Sequence, residues 1–509
     1  MASGSQTMTS RPQTAPVIEG DERLFNKDLA PVPVSKRNWT WFNYAALWLG
    51  MIHSVFGFTV LGGLIATGLS AIQALIVVCV ANLIQLVFLA LNGRVGSRYG
   101  IPFPVWARSA FGVYGANVPA LLRGAVALGW FGVQNYLGAT AVNALLTTTV
   151  GPWKSLGDTV AFGLGLNLWF SMLIFWALNF LLIWHGMNTI RRFETWAGPA
   201  VIAVMIPLVI WALVSAHGIG PIFNSPSKYS AGSFITTAML PGVALFISAA
   251  WATMILNIPD LTRFARSNRD ATLGTFIGLP LGTLVFYAMA AIIVSGTQVV
   301  YGKVLWNPSD ILLAINIPAL TIVGALLIMF ATMSVNIAAN LVSPAYDLTN
   351  LLPRIFTFKR AAVVGIVVSF LYAPWHLMQT PGTLFSVLGN IGAVLGPATG
   401  IIMADYFVIR RRLLDVPELY KAFGRYRSFH GFNPLSLGWL VVLSGIIFVG
   451  EFVPAVGWLY TYSWFVGEIA GFVGYLAIVY AFKAVRHSLP AELEAVGTPG
   501  VEAAEAVAV

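Results

Sequence analysis

Apolar residues follow one another along this chain in stretches long enough for a helix to cross a hydrocarbon layer, which takes roughly 20 residues. They fall at 42–67, 70–92, 117–147, 163–186, 196–215, 236–257, 272–296, 316–341, 361–375, 383–408, 436–453 and 462–482. The pattern predicts twelve transmembrane helices. Polar residues interrupt a few of these runs at mid-depth, where they are costly and tend to be functional. On the third run Trp130 and Gln134 stand at i and i+4, so they share a helix face. On the eighth, Ser334, Asn336 and Asn340 lie within ten residues, the two asparagines again on one face. The first run reads Gly50, His53, Ser54, Gly57 and then Gly62-Gly63; the sixth reads Pro241-Gly242 and then Ser248 before Ala250-Trp251. These two runs lie five spans apart. Interrupted helices at matching places in two halves point to a transporter site between inverted repeats. Close packing of small residues between helices accounts for the same glycines.

Composition agrees with a membrane protein. Hydrophobic residues make up 58% and charged residues 9% of the 509, against about 25% charged in soluble domains, and mean hydropathy is +0.80. The net charge of +9 is distributed by topology. With the N-terminus in the cytoplasm, all but four of the 28 Lys and Arg residues fall on the cytoplasmic side. Lys154, Lys228 and Lys303 lie outside, and Arg123 sits in the third span near its cytoplasmic end. This positive-inside bias predicts a multi-pass protein of the inner or plasma membrane with both termini cytoplasmic, and it argues against nucleic-acid binding. The cluster Arg410, Arg411, Arg412, Lys421, Arg425 and Arg427 reads as a topology determinant beside anionic lipid. A single cysteine, Cys79, excludes an intramolecular disulfide. Residues 1–39 lack the features of a cleaved signal peptide, so the first span is expected to serve as the internal signal. The organisation expected is an N-terminal tail over 1–39, a ten-helix core over 40–408 with repeats at about 40–217 and 234–408, a basic loop over 409–435, two further helices over 436–483, and a tail over 484–509 that is disordered beyond Arg486.

Enzyme constellations are missing. The six histidines have no second His or Cys at ligand spacing, which argues against a metal site. No Gly-rich stretch ends in Gly-Lys-Ser/Thr, so no cofactor or nucleotide is expected. The polar groups gather at one depth on spans 1, 3 and 8, as an occluding pocket needs, whereas a channel needs a continuous polar lining. Gln and Asn each offer an acceptor and a donor, matching the alternating N–H and C=O edge of an imide, ureide or pyrimidinone. Trp130 and Trp251 suit stacking on a planar ring, each contact contributing on the order of 1 kcal/mol beyond area burial. No buried Arg or Lys is expected near them, which disfavours anionic substrates. Asp260, Asp347 and Asp405 fall at span ends and are expected to pair with Arg263, Arg354 and Arg410; Glu451 and Glu468, in the last two spans, are expected at interfaces. Asn336 is expected to bond a neighbouring helix.

Several stretches also resemble a known family. The segments GRVGSRYGIPFPVWARSAFG, GWFGVQNYLGA, WATMILNIPDLTRFAR, NIAANLVSPAYDL and LGPATGIIMADYFVIRRR look like the nucleobase–cation symporter family 1, over about Lys36 to Arg486. Its members carry hydantoins, allantoin, uracil, cytosine, purines and some vitamins. Within it, KRNWTWFNYAALWLGMIH, GGLIATGLS and HGMNTIRRFETWAGP are similar to the bacterial allantoin permeases. The resemblance implies an all-α, leucine-transporter-like fold: spans 1–5 and 6–10 as inverted repeats, spans 11 and 12 peripheral, and substrate between spans 1, 3, 6 and 8. By motif position, substrate contacts fall on Trp130, Gln134, Trp251, Ala250 and Asn340, with His53 and Ser54 on the first span and a bulky gate residue at Phe385.

The family's sodium site falls on Gly50, His53, Ala331, Ser334 and Val335. Valine replaces a hydroxyl ligand there, which removes one hard oxygen. His53 has a side chain that titrates near neutrality, so proton coupling stands beside sodium coupling; a neutral His53 bonded to span 8 or to substrate is the plainer alternative. The expectation is a symporter of an uncharged heterocyclic nitrogen compound, allantoin first, then uracil or another pyrimidine, then hydantoins. It needs lipid and a small substrate, and no obligate protein partner. A membrane-embedded enzyme or a non-transporting sensor are the alternatives of other classes.

Overall fold

Short polar side chains start the helices where the apolar runs are punctuated. The computed structural model describes residues 21–184 and 202–484, apart from 204, 225 and 379. Thr40 and Asn43 form a reciprocal capping box at the start of α1 (Trp41–Ile52), and Ser70 with Gln73 does the same for α3 (Ala71–Tyr99). Each box satisfies amide donors that a helix start otherwise leaves open. Between them, Ser54 caps α2 (Val55–Ala66) by accepting from the Gly57 amide at 3.3 Å. The first span is therefore two helices, bent by 50° at His53-Ser54.

The chain continues through α4 (Phe103–Phe111), α5 (Asn117–Thr149), a small hairpin pairing β1 (Val160–Ala161) with β2 (Leu164–Gly165), and α6 (Leu166–Trp184). After α7 (Met205–Ser215) the sixth span is α8 (Leu240–Ala250) and α9 (Ala252–Asn257), broken at Trp251, not at Pro241-Gly242. The remaining long helices are α10 (Asn268–Tyr301), α11 (Pro318–Asn340) with α12 (Val342–Leu351), α13 (Phe358–Phe370), α14 (Pro381–Met403), α15 (Pro434–Phe452) and α16 (Ser463–Ala481).

Among the described residues, eight helices are long and apolar enough to cross a membrane, nine if the bent first pair counts as one. The helix α5 is long enough but falls outside this set because its buried faces carry Gln134, Asn135 and Thr140. With α5, α7 and the short α13 the spans correspond to the twelve apolar runs. The start of the fifth run, the end of the fourth, residues 1–20 and the tail beyond 484 lie outside the described residues.

The most extensive helix contacts are α1 with α10, α5 with α11, and α14 with α16. The last contact is made by small residues: Gly396, Pro397 and Gly400 meet Gly467 and Gly471 backbone to backbone. Glu468 lies in this interface, buried, as an interface position for it implies.

The basic end of the bundle departs from expectation in its pairings. Asp347 bonds Arg123, not Arg354; both members of the pair are buried, and Arg354 reaches Glu22 instead. Arg123 was legible only as a charge near a span end, yet it is the one cation facing Asp347 from α5. Asp260 accepts from the Phe103 amide at 2.7 Å, while Arg263 turns to the Asp28 carbonyl at 3.1 Å. Asp405 does pair with Arg410, at 2.6 Å. Arg410 is thereby buried against Ser109 and not spread on lipid. Outside the spans, the Lys421 ammonium and then the Arg425 amide hold the Glu418 carboxyl below the usual carboxylate range.

Residues 21–37 are packed beneath these ends. Leu24 and Leu29 are buried, and Arg108 of α4 holds the Leu24 and Leu419 carbonyls and the Asn350 side chain at 2.6–2.8 Å. Burial pulls the Arg108 guanidinium down to about 10, still far enough above neutrality to stay charged.

Candidate functional site

The two breaks and two unbroken helices, α5 and α11, line one central cavity. Ser54, Trp130, Gln134, Ala250, Trp251, Val335 and Asn340 all line it. Seven sequence-selected positions on four separate spans thus meet at one place.

The polar edge is built from α5 outward. Gln134 Nε2 donates to the Ser54 hydroxyl at 3.2 Å, across from α5 to the first break. Its Oε1 is buried and has no partner among the described residues. An amide whose nitrogen is engaged and whose carbonyl is free is an acceptor awaiting an N–H. On α11, Asn340 Nδ2 donates to Asn336 Oδ1 at 3.2 Å, and Asn336 Nδ2 donates to the Phe131 carbonyl at 3.2 Å. Asn336 is therefore the structural member of the pair, tying α11 to α5 and orienting Asn340.

Aromatic rings line the cavity from α5 and from the sixth span. Trp130 packs on Phe56 with ring centroids 4.5 Å apart. Trp251 meets Trp48 edge to face at 5.5 Å. Phe56, Met51, Gly57, Ala249, Tyr287 and Ala339 complete the lining and were not selected from the sequence. Tyr287 enters because Gly57 has no Cβ; a methyl there would overlap the phenol oxygen. The i, i+3 spacing of Ser54 and Gly57 around the break was the available signal.

Buried arginines do exist, Arg108, Arg123, Arg263 and Arg410, but none of them lines the cavity, which holds no charged side chain. The polar edge is thus matched to a neutral ligand.

The positions proposed for a cation are divided. Val335 faces the central cavity, and Ala331 faces a second cavity with Phe58, Met205, Phe286 and Leu327 among its apolar walls. Of Gly50, His53, Ala331, Ser334 and Val335, Ser334 alone has a side-chain oxygen. His53 is fully buried, its Nδ1 on the Leu49 carbonyl one turn back and its ring edge to face with Phe286 at 5.2 Å. With Nδ1–H donating, Nε2 is the bare nitrogen, and it has no partner among the described residues. Among those residues no group of three or more His, Cys, Asp or Glu is placed to hold a metal. Phe385 is partly buried on α14 and does not line the cavity.

Broken first and sixth spans around a central cavity define a secondary transporter of the leucine-transporter-like fold. Its relatives narrow the class. The model of the family described as "Permease for cytosine/purines, uracil, thiamine, allantoin" matches residues 31–467, and the chain belongs to that family. It is 42% identical to the allantoin permease of Bacillus subtilis, over 90% of this chain and 93% of that protein. It is 36% identical to the purine-uracil permease NCS1 of Arabidopsis thaliana, over 84% and 71%. Among solved structures it is similar to Mhp1, a nucleobase-cation-symport-1 family transporter closed around bromovinylhydantoin, with a TM-score of 0.75, 25% identity, and coverage of 92% and 97%. The protein is a permease, not an enzyme.

Proposed function

We propose that this permease imports allantoin, with protons as the coupling ion and the basic end of the bundle in the cytoplasm of a plasma or inner membrane. The observation that carries the substrate is the Gln134 carbonyl, without a partner among the described residues, in a cavity that Trp130 and Trp251 also line. Allantoin is a flat, uncharged ring bearing N–H donors, and it supplies what that acceptor lacks. The similarity to the Bacillus subtilis allantoin permease supports the same choice. Uracil is the second reading: a pyrimidine stacks between the same rings, and a relative at 36% identity is a purine-uracil permease.

Substrate contacts are assigned to Trp130, Gln134, Trp251, Ala250, Asn340 and Ser54, on a core over 40–408 with repeats at about 40–217 and 234–408. Phe385 is the proposed gate on α14, closing as that helix tilts. Proton coupling is favoured because Val335 removes an oxygen from the cation positions, while His53 Nε2 is a buried base without a partner. Transport then proceeds by alternating access, substrate and proton together biasing the rocking of one helix group against the other. Radiolabelled allantoin and uracil uptake into proteoliposomes, with sodium and pH gradients imposed separately, tests the reading. Allantoin accumulation driven by the proton gradient alone is expected; sodium-driven uracil uptake would overturn both substrate and ion.

A further inference from the structure

The second span runs behind the break in the sixth, and its buried carboxamides reach across to it. Gln85 Nε2 donates to the Ile247 carbonyl at 3.2 Å and Asn92 Nδ2 to the Ile255 carbonyl at 2.7 Å, one on each side of Trp251. Between them Asn82 Oδ1 accepts from the Trp251 indole Nε1 at 2.9 Å, while Asn82 Nδ2 is anchored on the Val78 carbonyl at 3.0 Å. All three side chains are buried, and none of the three lines the cavity.

An indole on a broken helix has two soft torsions, and stacking depends on its plane. Here the plane has two restraints: the bond to Asn82, and the edge-to-face contact with Trp48, whose own Nε1 donates to Thr275 at 2.9 Å. Asn82 is oriented by its own helix through Val78, so its acceptor is in place before substrate arrives. We propose that Asn82 is a positioning residue for substrate: by fixing the Trp251 indole it sets the plane, and so the shape of ring, that the site accepts. The proposal rests on the cavity being the substrate site.

The test is a double-mutant cycle in proteoliposomes on uptake of allantoin, uracil and hydantoin, with Asn82→Leu, Trp251→Phe and the pair. Phenylalanine has no N–H, so Asn82 has nothing to orient in that background. Asn82→Leu is expected to raise KM about three- to tenfold, the worth of one hydrogen bond, to shift the ranking of the three solutes, and to leave maximal rate near wild type. Added to Trp251→Phe it should cost nothing further. Equal penalties in both backgrounds, or a loss of maximal rate with KM unchanged, would overturn the proposal. The indole N–H vibrational band isolated by Raman difference between wild type and Trp251→Phe reports the bond without substrate. Asn82→Leu must move that band to its unbonded position; an unmoved band overturns the proposal. A wild-type protein that takes up none of the three solutes overturns the substrate reading, and the band then decides on Asn82.

Discussion

Gln134 and Ser54 meet at 3.2 Å across the first break; the bond uses one N–H of the glutamine, whose carbonyl oxygen has no partner among the described residues. The serine serves two helices at once, since its hydroxyl also caps α2 through the Gly57 amide. The open carbonyl in the cavity and the geometry of the break are thereby coupled through one side chain.

Gln134→Ala is expected to weaken allantoin binding by about 1–3 kcal/mol, the cost of leaving a buried N–H of the ligand without an acceptor. Isothermal titration in detergent reads it directly. Unchanged affinity would remove Gln134 from the site. Ser54→Ala should lower affinity less, because the glutamine carbonyl remains, and should lower thermal stability through the lost cap by about 1 kcal/mol.

Arg123 and Asp347 form a buried pair between α5 and α12. Removing one partner strands the other charge. Asp347→Ala is expected to destabilise the protein by about 3–5 kcal/mol, whereas Arg123→Met combined with Asp347→Leu should recover most of the loss. Thermal denaturation in detergent distinguishes these outcomes. A double variant no better than Asp347→Ala would mean the pair does not act as a unit.

The helices, the two broken spans and the lining positions Ser54, Trp130, Gln134 and Trp251 were legible because each has a local signal: a long apolar run, glycines with polar residues at mid-depth, or an i, i+4 pair; Ala250, Val335 and the ligand role of Asn340 came only from the family resemblance. Partnership was not legible. Arg123 and Asp347 are far apart in sequence, and Arg354, a near neighbour in the chain, was the natural but wrong partner for Asp347. Asn82, Gln85 and Asn92 were passed over because nothing in the second span says which helix its amides will face. Tyr287 escaped notice for the same reason: its place in the cavity depends on a missing Cβ at Gly57 on another span. The buried Arg108 is a third case, its partners being three segments distant in sequence.

Val335 faces the cavity where a hydroxyl would serve a cation. Val335→Thr restores a near-isosteric oxygen beside Ser334, and allantoin uptake is expected to gain stimulation by sodium. Comparing initial rates in sodium and in choline at one pH checks this. Indifference to sodium would show that the side-chain oxygen alone does not make the site.

His53 carries the coupling argument furthest, because a neutral imidazole with Nδ1–H on Leu49 has only Nε2 left to take a proton. Protonation there places a cation against the Phe286 ring, a contact of about 0.5–2 kcal/mol, and next to the break in the first span. His53→Gln keeps a polar side chain but cannot carry a proton. It should retain substrate binding and downhill exchange while losing accumulation against a gradient. Counterflow, proton-driven uptake and substrate affinity measured on the same vesicles separate these properties. Proton-driven accumulation in His53→Gln at the wild-type level would move the coupling proton to another group.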